Sequence, residues 1–132
     1  MGHGLMWVKF NNNPCGRSNV GDCTVRALSL ALDTDWETAF WMLADSAFQM
    51  CDVMSGNSVL SAVLRKHGFY RKAIPDYLPD NYTAEDFAND NPNGVFVLGF
   101  GNHVATIIDG TILDSWDSSL NIPQYYFYRK EA

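Results

Sequence analysis

The hydrophobic pattern divides the chain in two. From Asp22 to about His67 the apolar positions fall at helical spacing; beyond that, short runs rich in Val, Ile and Phe are punctuated by glycine and read as strands. Val25, Leu28 and Leu32 mark one face of a first helix, predicted over about Asp22 to Leu32. Asp22 stands near its start, where both the N-cap preference and the helix dipole favour an acid. Trp36, Phe40, Leu43, Ala47 and Met50 are spaced four, three, four and three, which predicts a second helix with a core-facing stripe. Thr34 as N-cap, with Glu37 three residues on, gives that helix a capping box. A third helix, about Ser58 to His67, ends at Gly68, the residue type that most often closes a helix. His67 lies in its last turn, where a cation suits the dipole, and is read as structural. Ahead of all three, Leu5 to Val20 is polar and turn-rich ("NNNPCGRSN") and predicts a loop.

In the second half "FYRKAI" reads as a strand, Thr83 to Ala88 as a short helical turn, and "NPNG" as a turn. "GVFVLGF", "HVATII", "TILDSW" and "QYYFYRK" read as further strands. Asp109-Gly110, between the second and third of these, is the strongest short hairpin signal and predicts a type I′ turn. Helices first and a sheet afterwards make an α+β domain, with N-terminal helices packed on a C-terminal antiparallel β-sheet. Its predicted core includes Val25, Leu28, Trp36, Phe40, Leu43, Leu64, Val97, Val104 and Ile107. With 132 residues and no repeat, low-complexity tract or linker, residues 1–132 are read as one domain.

Composition narrows the function classes. Apolar residues make up 47% and aromatic residues 14%, enough for a real core and too many for a disordered chain. The formal charge is −6 with no Lys/Arg cluster, so no nucleic-acid partner is expected. No apolar run approaches the length of a membrane span, and no membrane partner is expected. The start, "MGHGLMWVKF", has neither a basic region followed by an apolar one nor, with Met6, the residue that myristoylation needs. "MGHG" is taken as a cloning remnant, which leaves His3 out of the functional reading. Cys15, Cys23 and Cys51 are an odd number with no CxxC pair, which argues against a disulfide framework and for a reducing, cytoplasmic compartment. With His67 and His103 they are irregularly spaced, so no metal is expected, and no cofactor either.

The chemistry concentrates in three residues. A two-residue Asp109-Gly110 loop pairs Ile108 with Thr111, which puts Ala105 opposite Asp114 and His103 opposite Trp116. His103, Ala105, Asp114 and Trp116 then share a face, whereas Asp117 has the wrong parity unless a bulge intervenes. A carboxylate beside an imidazole fixes its tautomer and stabilises its protonated form; Asp114 is the better candidate, Asp117 the alternative. Cys23, in "NVGDCTVRALSLAL", stands at a helix start. The free N–H groups there, together with an imidazolium, lower a thiol's pKa and can receive the oxyanion of an acyl-transfer intermediate. Arg26 can pair with Asp22 one turn back or reach a carboxylate on the sheet, a structural role in either case. Trp116 either shields the His–Asp pair from water or packs in the core.

"GDCTVRAL", "NHVATIIDG" and "LDSWD", in that order, resemble the papain-like cysteine peptidase superfamily, most of all its small phage-type members with a "DC-x-x-RA" helix start. The likeness covers most of the chain in layout and three short motifs in sequence. It implies a papain-like fold in which Cys23 is the nucleophile, His103 the general base and acid, and Asp114 the orienter. It further implies a cysteine peptidase or related thiol hydrolase that cleaves an amide or isopeptide bond in a protein or peptide substrate. The glutamine that papain-like enzymes place just before the cysteine is missing; Asn13 or Asn19 would have to supply the second oxyanion donor, since an amide N–H is the chemistry required. "GDCT" and "NHVATIIDG" are also similar to motifs of peptidoglycan-cleaving amidases of the CHAP type, which gives a second reading. A third is an idle papain-like module that binds a partner.

Overall fold

The tightest local constraint in the chain is the Asp109-Gly110 turn. In the computed structural model, which describes residues 6–129, both residues have positive φ, 48° and 80°. This is the type I′ geometry that matches the twist of a hairpin. It joins β4 (Val104–Ile108) to β5 (Thr111–Asp114) in the predicted register, with Ile108 opposite Thr111 and Thr106 opposite Leu113. β3 (Val95–Gly99) pairs antiparallel with β4 on one side and with β6 (Tyr125–Arg129) on the other. β2 (Phe69–Ala73) closes the far edge against β6. Residues 1–5 and 130–132 lie outside the described part, and with them His3, the rest of "MGHG" and Lys130 of the last predicted strand.

Two expectations about the sheet are overturned together. The stretch expected to be loop contains a strand, β1 (Trp7–Lys9), which runs parallel to β5 with Trp7 beside Ile112 and Lys9 beside Asp114. The six-stranded sheet, in the order β1-β5-β4-β3-β6-β2, is therefore mixed and not antiparallel throughout. Three residues are too few to register as a periodic pattern. They become a strand because the outer edge of β5 offers unpaired N–H and C=O groups.

Four helices cover the sheet: α1 (Cys23–Ala31), α2 (Trp36–Met50), α3 (Asn57–Lys66) and α4 (Ala84–Asp90). The first three form a core with one face, in which Leu28, Leu43, Leu60, Leu64, Phe69 and Val97 are fully or almost fully buried. α4 packs with the other face, where Phe87 and Ala88 meet Leu98, Ile107 and Ile112. α1 lies against β4, and a buried hydrogen bond from Thr106 Oγ1 to the Ala27 carbonyl (2.8 Å) ties the two layers. No helix among the described residues is long and apolar enough to cross a membrane.

The helix ends depart from the expected caps. α2 starts one residue later than Thr34 would place it: Asp35 is the N-cap and accepts from the Thr38 N–H at 2.8 Å. The Thr34 N–H instead closes the turn after α1 on the Ser29 carbonyl at 2.8 Å. The capping box that does form joins Thr83 and Asp86 at α4, which carries the expected short helical turn on to Asp90. His67 sits at the end of α3 with Nδ1 on the Val63 carbonyl (2.9 Å), a structural position, and Gly68 follows with φ 87°.

The α2 stripe is only partly core. Leu43 and Ala47 are buried, but Met50 is 42% exposed beside the left-handed Cys51, and Trp36 and Phe40 are half-buried. Those two rings stack at 5.2 Å and line a cavity of about 400 Å³ beside the first turn of α1.

At Gly99 the sheet admits no side chain, because a Cβ would lie 2.0–2.5 Å from three ring atoms of Tyr125. Gly99→Ala should therefore destabilise the fold by about 1–3 kcal/mol through overpacking. Gly21→Ala, where a Cβ meets nothing within 4 Å, should stay within about 0.5 kcal/mol of wild type. Urea unfolding of both variants checks the contrast.

Candidate active site

α1 begins at Cys23, so the thiol stands at the first helical position, where the backbone N–H groups have no intrahelical acceptor. The expected N-cap, Asp22, occupies the capping position but makes no side-chain capping bond. Its buried carboxylate is drawn elsewhere. It pairs with Arg26 one turn on and accepts from Trp36 Nε1 (3.0 Å) and Asn13 Nδ2 (3.3 Å).

His103 sits immediately before β4, and the hairpin brings it to Asp114 at the end of β5. Nε2 of the ring lies 2.6 Å from Asp114 Oδ2. That contact assigns Nε2 to the carboxylate and leaves Nδ1 for the thiol, with which His103 is also hydrogen-bonded. Asp117 is exposed and turned away, its Oδ1 accepting from the Ser119 N–H at 3.0 Å. The structure thus brings Cys23, His103 and Asp114 together and leaves Asp117 out.

Asp114 is almost wholly buried and fixed from several sides. Ser118 Oγ donates to Oδ2 (2.7 Å), the Ser115 N–H donates to Oδ1 (2.8 Å), and Arg26 lies 3.6 Å away. Its backbone carbonyl accepts from the Phe10 N–H (2.7 Å) and from Trp7 Nε1 (3.2 Å). Both alternatives open for Arg26 are realised, since it reaches Asp22 and Asp114 together. Trp116 lies against the His103 ring at 4.8 Å while itself 44% exposed, so it covers the imidazole from the solvent side instead of filling the core.

These contacts set the ionisation of the pair. Burial alone would raise the Cys23 thiol. The hydrogen bonds from His103 and the Val104 backbone, with the positive charges of His103 and Arg26, outweigh it and hold the thiol below its ordinary value. Burial alone would lower His103. Its hydrogen bonds with Asp114 and Cys23, and their negative charges, outweigh that and raise it to about 9. Around neutral pH the site therefore favours a thiolate beside an imidazolium.

The two oxyanion candidates, Asn13 and Asn19, both lie in the segment before α1. The hydrogen bonds of Asn13 go to Asn11, Cys15, Gly16, Arg17 and Asp22, an arrangement that fixes the loop. Asn19 is exposed in the segment leading to α1. Sequence reasoning missed Trp7, Ser118 and Tyr125. Trp7 and Tyr125 gain their places through partners distant in the chain, and Ser118 through the turn that follows β5, which returns it to Asp114 four residues back. Among the described residues no group of three His, Cys, Asp or Glu side chains is placed to hold a metal ion. No family model, curated protein or solved structure matches this chain.

The charge distribution predicts selective labelling. Iodoacetamide at about pH 6 should modify Cys23 well before Cys15 and Cys51, although those two are the exposed cysteines. His103→Ala should slow the labelling of Cys23 by removing the imidazolium that favours the thiolate. Mass spectrometry of the labelled peptides reads all three thiols in one experiment.

Proposed function

We propose that the protein is a papain-like thiol hydrolase, a cysteine peptidase that cleaves an amide or isopeptide bond in a protein or peptide through Cys23, His103 and Asp114. One observation carries the reading: a thiol at a helix start is hydrogen-bonded to an imidazole whose other nitrogen rests on a buried carboxylate at 2.6 Å. This is the nucleophile–base–orienter arrangement that acyl transfer requires. The order of the three residues along the chain, and their placement on a helix and two neighbouring strands, support a papain-like fold. The three free cysteines fit a reducing compartment.

In this mechanism the Cys23 thiolate attacks the carbonyl carbon. A C–S bond forms and the C=O π pair moves to oxygen, where the Cys23 N–H can receive it. As the carbonyl re-forms, the C–N bond breaks and the His103 imidazolium gives its Nδ1 proton to the leaving amine. The neutral imidazole then takes a proton from water, and the resulting hydroxide equivalent attacks the thioester. The acid product leaves, and thiolate and imidazolium are restored. Asp114 holds the ring in the orientation that serves both transfers.

The test is hydrolysis of fluorescently labelled casein, with purified cell walls assayed alongside by turbidity. Wild type should cleave the protein and Cys23→Ala should not. Clearing of the walls with no attack on casein would move the assignment to a peptidoglycan amidase. No hydrolysis together with slow, indiscriminate thiol labelling would leave a binding module.

Two expectations follow from the ionisation. The rate should be bell-shaped in pH. Its acid limb marks the lowered thiol and lies below the ordinary thiol range. Its basic limb falls near pH 9, where the imidazolium loses the proton it must donate; both limbs belong to the coupled pair. Asp114→Asn should move the basic limb to lower pH and reduce kcat by roughly 10²–10⁴-fold, the range expected when acid–base catalysis is impaired. Circular dichroism should show the fold retained.

A further inference from the structure

The proposed mechanism leaves one half of the oxyanion site unassigned. The Cys23 N–H supplies one donor, and the amide of Asn13 is engaged by Asp22. A single donor is an incomplete oxyanion hole, since such sites ordinarily direct two groups at the developing charge.

The sheet brings another donor near enough to the thiol to feel its charge. Val104, Gly99, Tyr125 and Ala73 lie opposite one another across β4, β3, β6 and β2. Val104 is the residue whose backbone meets the Cys23 sulfur. The ring of Tyr125 leans from β6 across β3. Its outer atoms Cζ, Cε1 and Cε2 lie 2.0–2.5 Å from where a Gly99 Cβ would be. The end of the ring that carries the hydroxyl thus lies over Gly99 on β3, the residue paired with Val104, whose backbone meets Cys23. Only glycine at position 99 permits the crossing. Arg71 lies over the same ring, 4.1 Å from its centroid, and fixes its tilt. Tyr125 is buried in the core cluster against which Cys23 packs.

We propose that Tyr125 is a catalytic residue, its hydroxyl the second oxyanion donor, acting in the place of the absent upstream amide. The inference rests on the thiol-hydrolase reading and adds the group that completes it. When the thiolate adds to a carbonyl, the π pair moves to oxygen. That oxygen then accepts hydrogen bonds from the Cys23 N–H and from Tyr125 O–H, and no proton is transferred to it. The phenol suits the task because it stays protonated. Burial raises its pKa, the Arg71 charge lowers it and the Cys23 charge raises it, with a net rise. A donor that keeps its proton throughout the catalytic pH range contributes equally across it.

Tyr125→Phe separates this role from packing, because the phenylalanine ring keeps its place over Gly99 and under Arg71. Two probes of the same sulfur are compared. p-Nitrophenyl acetate acylates Cys23 through a tetrahedral oxyanion, whereas iodoacetamide alkylates it by displacement at carbon and forms none. Acylation by the variant should fall by on the order of 10²-fold, the loss expected for one oxyanion donor. Alkylation, measured at the pH where the thiolate is fully formed, and the thermal midpoint should remain those of wild type. Unchanged acylation in the variant would overturn the assignment. So would an equal fall in both reactions, which would mark Tyr125 as a support of the thiol or of the fold. If wild type itself acylates no faster than Cys23→Ala, the thiol-hydrolase reading fails and Tyr125 loses its role with it. Fast wild-type acylation with no effect of Tyr125→Phe would remove this inference alone.

Discussion

A buried guanidinium holds the site together. Arg26 is 6% exposed and faces two carboxylates, Asp22 at the start of its own helix and Asp114 at the end of β5. Through it the first turn of α1 and the last residue of the hairpin occupy fixed positions relative to each other, and those positions carry the thiol and the support of the imidazole. Removing one partner from a buried ion group of this kind costs about 3–5 kcal/mol, because the remaining charge is left without compensation in a medium that solvates it poorly. Its Nε, buried without a partner, shows that the side chain is placed for its two carboxylates and not for complete hydrogen bonding. The same positive charge helps to hold the thiol ionised.

This arrangement also explains the uncapped helix. A side-chain cap is worth about 1 kcal/mol to a helix, and Asp22 is in position to supply one. Its carboxylate goes instead to Arg26, Trp36 and Asn13. No side chain therefore caps the start of α1. In the sheet the order of strands does similar work: Gly99 has no side chain, so an aromatic ring from β6 can lie over β3. In both places a local preference yields to what the centre of the molecule needs.

Whatever depends on nearby residues was legible in the sequence. The apolar spacing marked α1, α2 and α3 to within a residue or so, and Asp109-Gly110 set the hairpin. The hairpin register in turn separated Asp114 from Asp117 by parity alone. What depends on remote partners was not legible. β1 exists because β5 presents an edge to it. The crossing of Tyr125 requires Gly99, which is 26 positions away in the chain but adjacent across the sheet. The N-cap of α2 failed for a subtler reason: Thr34 and Asp35 are adjacent and both good caps, and Asp35 is the one that takes the Thr38 N–H.

The clasp between β1 and β5 has a consequence for the timing of synthesis. Trp7 and the carbonyl of Asp114 are 107 residues apart in the chain, and Cys23 meets an imidazole 80 positions later. When the helices have left the ribosome, the thiol is present but His103 and the strands that carry it are not. Contacts of such long range form late, because the entropy of closing the loop must be met before they bring any gain. During that interval Cys23 lacks the imidazole that helps hold its thiol below the ordinary value. Its reactivity arrives with the last strands, as a property of the finished molecule.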